Sequence, residues 1–167
     1  MDTRAMGGGQ TVERWLSSTP MIRAPLDRAG IEALIPHRDP FLLIDRVTEL
    51  EPGVRAVAEH TFTGREWYQP GHFPGNPIVP GVILVESMAQ AATVAGMSHP
   101  DYRTGLGLFA GIEEMRFKRI VKPGDTARFV AEFDKFRRGF ARANVRTLVG
   151  EELAAEGVIL AMFQQKR

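Results

Sequence analysis

The sequence predicts an α+β domain in which a sheet wraps around one central apolar helix. Three observations carry that expectation. Residues 82–98, VILVESMAQAATVAGMS, are apolar nearly all the way round, the mark of a helix buried on most faces. Two strand-like runs precede that helix and four follow it. The chain has 167 residues, enough for roughly one domain that buries about two thirds of its unfolded surface.

Residues 1–25 read as a flexible tail, because Gly7, Gly8 and Gly9, Ser17-Ser18 and the prolines at 20 and 25 oppose regular structure. The single domain then spans 26–167. Ile31, Leu34 and Ile35 have helical spacing, with Asp27 as N-cap and Pro36 as the stop. FLLIDRVTEL (41–50) reads as a strand ended by Pro52-Gly53, and VRAVAEHTF (54–62) as its hairpin partner. A loop rich in Gly and Pro runs from Gly64 to Pro80. The central helix follows; it approaches membrane-spanning length, but Glu86, Ser87, Gln90 and its alanines and glycines argue against lipid. Four strands are expected over 106–117, 125–136, 139–149 and 152–163, with tight connections at Pro123-Gly124, Arg138-Gly139 and Gly150-Glu151.

Composition narrows the function. A net charge of +1 lacks the basic excess of a nucleic-acid-binding domain. The absence of cysteine excludes disulfides, thiolate metal sites and a Cys nucleophile. The opening MDTRAMGGGQ has no apolar stretch of the kind a secretory signal carries, so a soluble, cytoplasmic protein is expected.

Several motifs carry no chemistry. HRDP (37–40) resembles part of a kinase catalytic loop, but no phosphate-binding loop precedes it. GLGLFAG (105–111) has the wrong spacing for a dinucleotide site. His37, His60, His72 and His99 form no i, i+4 pair, so no metal site is expected. No G-x-S-x-G elbow is present.

Glu86 is different. An ionised, unpaired carboxylate on an apolar helix is costly. It either faces a polar rim or an arginine, or it is held able to give a proton near neutral pH. Gln90, four residues on, shares its face and is placed to orient it. Pro80-Gly81 open the helix, and the free first-turn N–H groups of Gly81 and Val82 suit a carbonyl developing negative charge. His72 stands just upstream among glycines and prolines, which fix a side chain at little entropic cost. A fixed His and a buried Glu beside a helix N-terminus suit proton abstraction next to a carbonyl.

At these residues a family becomes recognisable. GHFPGNPIVPGVILVESMAQAA (71–92) closely resembles the signature of the FabZ-type 3-hydroxyacyl-[acyl-carrier-protein] dehydratases. IPHRDPFLLIDRVTELEPG (35–53) and FAGIEEMRFKRIVKPGD (109–125) resemble the blocks on either side. The resemblance implies a hot-dog fold, six antiparallel strands around a long helix, in dimers or trimers of dimers with each site at a dimer interface. By position it implies His72 as catalytic base and Glu86 as catalytic acid, His72 of one subunit facing Glu86 of the other. Glu at that place favours this type over the related dehydratase-isomerases, which carry Asp. Gly81 would hold the thioester carbonyl; Phe73, Val79, Val82 and Leu108 would line the acyl tunnel. The implied reaction is dehydration of (3R)-3-hydroxyacyl-ACP to trans-2-enoyl-ACP without a cofactor.

Two departures stand out. Pro70 separates Gln69 from Gly71 where the family reads Gln-Gly-His, and Leu108 occupies the place of an aromatic gating residue. Both lie near the tunnel mouth and extend the implied pathway from fatty acid to type II polyketide synthesis. Acyl carrier protein is acidic, so Arg116, Lys118, Arg119 and Lys122, with Arg137 and Arg138 in the next hairpin, are the expected carrier-binding residues. The competing readings are a hot-dog hydratase or thioesterase acting on coenzyme A esters, and a non-catalytic acyl-binding partner subunit. The spacing of His72 and Glu86 speaks against a thioesterase, and retention of both speaks against an inactive partner.

Overall fold

A computed structural model describes residues 23–103 and 105–164; the expected tail lies outside the described residues as far as residue 22. Helix α1 (Arg28–Leu34) begins where the sequence signals it. Asp27 Oδ1 accepts the Gly30 N–H at 2.9 Å, and Ile31 is fully buried. Strands β1 (Arg46–Glu51) and β2 (Arg55–Thr61) form an antiparallel hairpin through a turn in which Gly53 takes φ 72°.

The strand expected over 41–50 begins only at Arg46. Leu42, Leu43 and Ile44 are buried as their apolar run demands. The backbone here is held by a side chain rather than a neighbouring strand: Gln90 accepts from Leu43 N–H at 2.9 Å and donates to Phe41 C=O at 2.8 Å. An apolar run reports burial, and burial does not require a ladder.

Helix α2 (Gly81–Met97) has 17 residues, of which 14 are buried, and it packs against every strand of the sheet. Each large apolar side chain removed from water contributes roughly 1.5–3 kcal/mol, so this helix anchors the core. Its hydroxyls bond back to their own helix, Ser87 to Ile83 C=O and Thr93 to Ala89 C=O, both at 2.8 Å, which makes their burial tolerable. Strands β3 (Leu106–Phe117), β4 (Thr126–Arg137), β5 (Phe140–Val149) and β6 (Glu152–Gln164) complete a six-stranded antiparallel sheet. Its order is β1-β2-β4-β5-β6-β3. Helix α2 thus carries the chain from the β1–β2 side to the opposite edge, crossing the face that the sheet wraps around it. This is the hot-dog arrangement. The β4–β5 turn has Arg138 and Gly139 at φ 52° and 81°, the left-handed pair that matches the twist of a tight hairpin.

Helix and sheet meet most closely where Phe163 lies across Gly96. A Cβ on Gly96 would fall 2.2 Å from the Phe163 ring. Gly96→Ala is expected to lower stability by about 1–3 kcal/mol through overpacking, read as a lower urea midpoint. Adding Phe163→Leu should recover part of that loss; unchanged stability of the single variant would refute the tight contact.

Candidate active site

A loop carboxylate, Glu66, shapes the approach to His72. Glu66 accepts from Thr63 N–H, Thr63 hydroxyl and Gly64 N–H, and its own carbonyl takes the Gln69 N–H. A short 3-10 turn over Gln69–Gly71 follows, with the exposed Pro70 at its start. Proline is at home there, so the departure from Gln-Gly-His leaves the turn intact. Gln69 is buried, and its amide donates to His72 C=O at 3.0 Å.

These bonds set the imidazole. His72 Nδ1 lies 3.2 Å from Ile78 C=O, and Phe73 stacks on the ring at 4.0 Å between centroids. A carbonyl can only accept, so the neutral ring carries its proton on Nδ1 and leaves the Nε2 lone pair free. His72 opens into a cavity of about 500 Å³ with Val79, Gly81, Val82, Phe117 and Lys118. Gly81 is the first residue of α2, where backbone N–H groups lack intrahelical partners. Its missing side chain is required: a Cβ would sit 2.9 Å from the Phe117 ring.

Glu86 occupies a second cavity, of about 270 Å³, lined by His37, Phe41, Thr93, Leu108, Phe109 and their neighbours. Its side chain is 18% exposed and meets no arginine among the described residues; Gln90 Nε2 donates to Glu86 Oε1 at 2.9 Å. The amide orientation of Gln90 is forced. Leu43 N–H can only donate and Phe41 C=O can only accept, so Nε2 is the atom facing Glu86. Oε1 is therefore an acceptor, and a protonated Glu86 carries its hydrogen on Oε2. The two cavities thus hold an imidazole whose Nδ1 faces a carbonyl and a carboxyl whose Oε1 accepts from Gln90. Sequence reasoning missed His37, whose Nε2 lies 3.5 Å from Glu86 Oε1, because it came with a motif set aside and the pairing spans 49 positions.

Within one chain the expected residues thus fall into two groups. His72, Val79, Gly81 and Val82 line one cavity; Glu86 and Leu108 line the other, with Gln90 behind Glu86. Phe73 stacks on His72 and is 48% exposed. The basic residues also divide. Lys118 and Arg119 border the His72 cavity, but Lys118 pairs with Glu156 and Arg119 with Asp125 and Glu152. Arg116 lies in a groove with Glu114, Arg146 and Glu156, Lys122 is in the loop before β4, and Arg137 and Arg138 cap the β4–β5 hairpin. Among the described residues no three His, Asp or Glu side chains gather as a metal site would need.

Two carboxylates hold loops beside the His72 cavity in ionised form. Burial pushes Glu66 up, but the Thr63 and Gly64 donors outweigh it and keep it below the ordinary 4.5. The Arg119 hydrogen bond, against burial and with help from Lys122 N–H, holds Asp125 below 3.8. A carboxyl lowered on folding stabilises the native state above its unfolded pKa, and that contribution fades as pH falls through the native value. The melting temperature should thus be insensitive to these groups above about pH 5 and fall as pH drops below about 4. Glu66→Gln should flatten part of that fall; an unaltered acid profile would show the carboxylate is not held.

The family model described as FabA-like domain matches residues 35–158, most of the chain. A 3-hydroxyacyl-[acyl-carrier-protein] dehydratase FabZ of Chloroflexus aggregans is 52% identical over 130 residues, covering 78% of this chain and 90% of that protein. The protein of the same name from Moorella thermoacetica is 45% identical over 141 residues, 84% of this chain and 99% of its own. Among solved structures, the dehydratase heterocomplex ApeI:P of Xenorhabdus doucetiae superposes with a TM-score of 0.69 at 17% identity, over 81% of this chain and 91% of that one. Cj0977, a sigma28-regulated virulence protein of Campylobacter jejuni, gives 0.64 at 14%, over 83% and 91%. At such identity these structures speak for the fold alone. The sequence matches go further, since they run through both half-sites: the chain belongs to the FabA-like family, in its FabZ branch.

Proposed function

We propose that the protein is a hydro-lyase that converts (3R)-3-hydroxyacyl-ACP to trans-2-enoyl-ACP in type II fatty acid synthesis, in the cytoplasm. The observation that carries the reading is the pair of oriented half-sites, His72 with Nδ1 against Ile78 C=O and Glu86 with Oε1 held by Gln90. His72 Nε2 takes the C2 proton of the substrate. The thioester oxygen, negative as the enolate forms, meets the Gly81 N–H at the positive end of α2. Glu86 Oε2 protonates the leaving 3-hydroxyl, and water departs. No cofactor enters, since the electrons of the C2–H bond form the new double bond as the protonated hydroxyl leaves as water. The cavity beside Glu86, walled by Leu108, Phe109 and the small residues of α2, takes the acyl chain. Leu108 in place of an aromatic gate leaves room for the functionalised chains of polyketide synthesis, the second pathway this site fits.

One chain alone separates the two half-sites, so a second copy is part of the proposal. Among the described residues strand β3 ends the sheet with an unpaired edge, and Leu106, Leu108, Phe109, Ile112 and Phe117 along it are 46–53% exposed. A long apolar edge of this kind calls for a partner. Pairing two β3 edges into one continuous sheet would set His72 of each copy against Glu86 of the other; trimers of such dimers are a further assembly of the same unit. No helix among the described residues is long and apolar enough to cross a membrane.

His72→Ala and Glu86→Gln should each lower kcat by roughly a hundredfold or more on 3-hydroxybutyryl-ACP, followed by enoyl absorbance. Mixed after subunit exchange, the two inactive variants should regain activity, because one site of each mixed dimer carries both wild-type residues. No recovery despite demonstrated exchange would place both groups in one chain.

In this reading the acidic carrier is met by the cations that show no ion pair among the described residues rather than by Arg119, which is committed to Asp125 and Glu152. Reversing charge at Arg116 or Arg138 should weaken acyl-ACP use chiefly through slower association, with a deficit that shrinks as salt rises. Turnover of an N-acetylcysteamine thioester should be unaffected; equal damage to both substrates would make these residues structural.

A further inference from the structure

The segment that resembles part of a kinase loop, His37-Arg38-Asp39-Pro40, packs over the carboxyl of Glu86. We infer that His37 is a positioning residue for Glu86, a second N–H donor to Oε1 that stabilises the carboxylate left when Oε2 gives up its proton. This rests on the reading of Glu86 as the catalytic acid.

The geometry is built, not incidental. His37 Nε2 lies 3.5 Å from the same Oε1 that Gln90 already holds at 2.9 Å. Catalytic hydrogen bonds are often this long before substrate is bound and shorten in the complex. Oε1 has been shown to be an acceptor, so Nε2 serves it only as N–H. That choice of tautomer also agrees with the other side of the ring, where Nδ1 is buried without a hydrogen-bond partner among the described residues. A lone pair left there is less costly than an N–H with no acceptor, because an unpaired donor loses its full hydration. The ring itself is fixed. Arg38 Nη1 donates to the carbonyls of His37 and Ile35, Arg38 Nη2 to that of Glu32, and Phe41 stacks nearly parallel to the imidazole at 13°. Gln90 ties the following residues to α2 through Phe41 C=O and Leu43 N–H, so acid and donor move as one piece.

The surroundings leave Glu86 as the titrating partner. Strands β3 and β6 contribute Gly107, Leu108, Phe109, Ile159 and Ala161 to this cavity, none of which titrates. On the α1 side, Glu32 and Asp39 are both engaged by Arg28, and the Arg38 charge sits on backbone carbonyls. Under the two-copy reading the second copy brings His72, with Lys118 and Arg119 bordering the same cavity and paired to Glu156, Asp125 and Glu152. The proton account closes: the C2 hydrogen goes to that His72, the Glu86 hydrogen leaves in water, and His37 keeps its own proton throughout.

The test compares His37→Phe, which keeps the ring stacked on Phe41 but removes the donor, with His37→Gln, which restores an N–H at similar reach. Both are assayed with the N-acetylcysteamine thioester of 3-hydroxybutyrate across pH, beside wild type and Glu86→Gln, with melting curves to show that each is folded. His37→Phe should lower kcat about tenfold with KM nearly unchanged, the effect of losing one donor to a charged group. Without that donor the carboxyl keeps its proton to higher pH, so the alkaline limb of kcat/KM should rise by roughly one pH unit. His37→Gln should recover most of kcat and return the limb toward wild type. If the limb of His37→Phe superimposes on wild type, or if Phe and Gln variants behave alike, the positioning role is overturned while Glu86 remains the acid. If Glu86→Gln retains full turnover, the reading of the site itself fails.

Discussion

Gln90 is fully buried, and its amide has to be satisfied by whatever the fold brings to it. It finds a backbone carbonyl, a backbone N–H and the carboxyl of Glu86 within hydrogen-bond distance. Each partner depends on the other two. The backbone groups of Phe41 and Leu43 would be left without a ladder partner if Gln90 were absent, and Glu86 would lose the N–H donor to its Oε1. One amide thus joins the segment before β1 to the central helix and orients the Glu86 carboxyl.

Around that amide, two kinds of packing divide the molecule. Small residues let elements approach: Gly96 accepts the Phe163 ring and Gly81 the Phe117 ring. Polar loops hold His72 on the other side. There Glu66 binds the turn that leads into His72, and Ile78 C=O fixes its tautomer. Rigid support on both sides suits acid–base chemistry, where a misplacement of about 1 Å costs far more than any surface contact returns. The sheet edge at β3 is the unfinished part. Its exposed apolar side chains and the placement of His72 and Glu86 in different cavities are what the proposed second copy would resolve.

Much of this was legible in the residues. The seam between strand and turn could be read because Gly and Pro mark turns and apolar runs mark strands; the run over 106–117 coincides with β3, and α2 begins within a residue of its expected start. Glu86 and His72 stood out because a carboxylate on an apolar helix and a histidine in a rigid loop are each unusual. Gln90 was expected to orient Glu86 because i and i+4 share a helical face, a relation that is purely local. The over-long first strand shows the opposite case. Leu42, Leu43 and Ile44 are apolar because they are buried, but only the folded chain reveals that a side-chain amide replaces the neighbouring strand.

What the sequence determined by itself was therefore local and periodic: the helix, the strands, their turns, and the two residues whose chemistry clashes with their surroundings. Contacts between distant positions were decided by tertiary structure. His37 reaches Glu86 and Arg119 joins Asp125 to Glu152 because the chain returns on itself, and no spacing rule encodes such a return. The separation of His72 from Glu86 into different cavities is of the same kind. Two residues close along the chain point into different spaces because one belongs to a loop and the other to a helix, whose side chains advance by about 100° per residue.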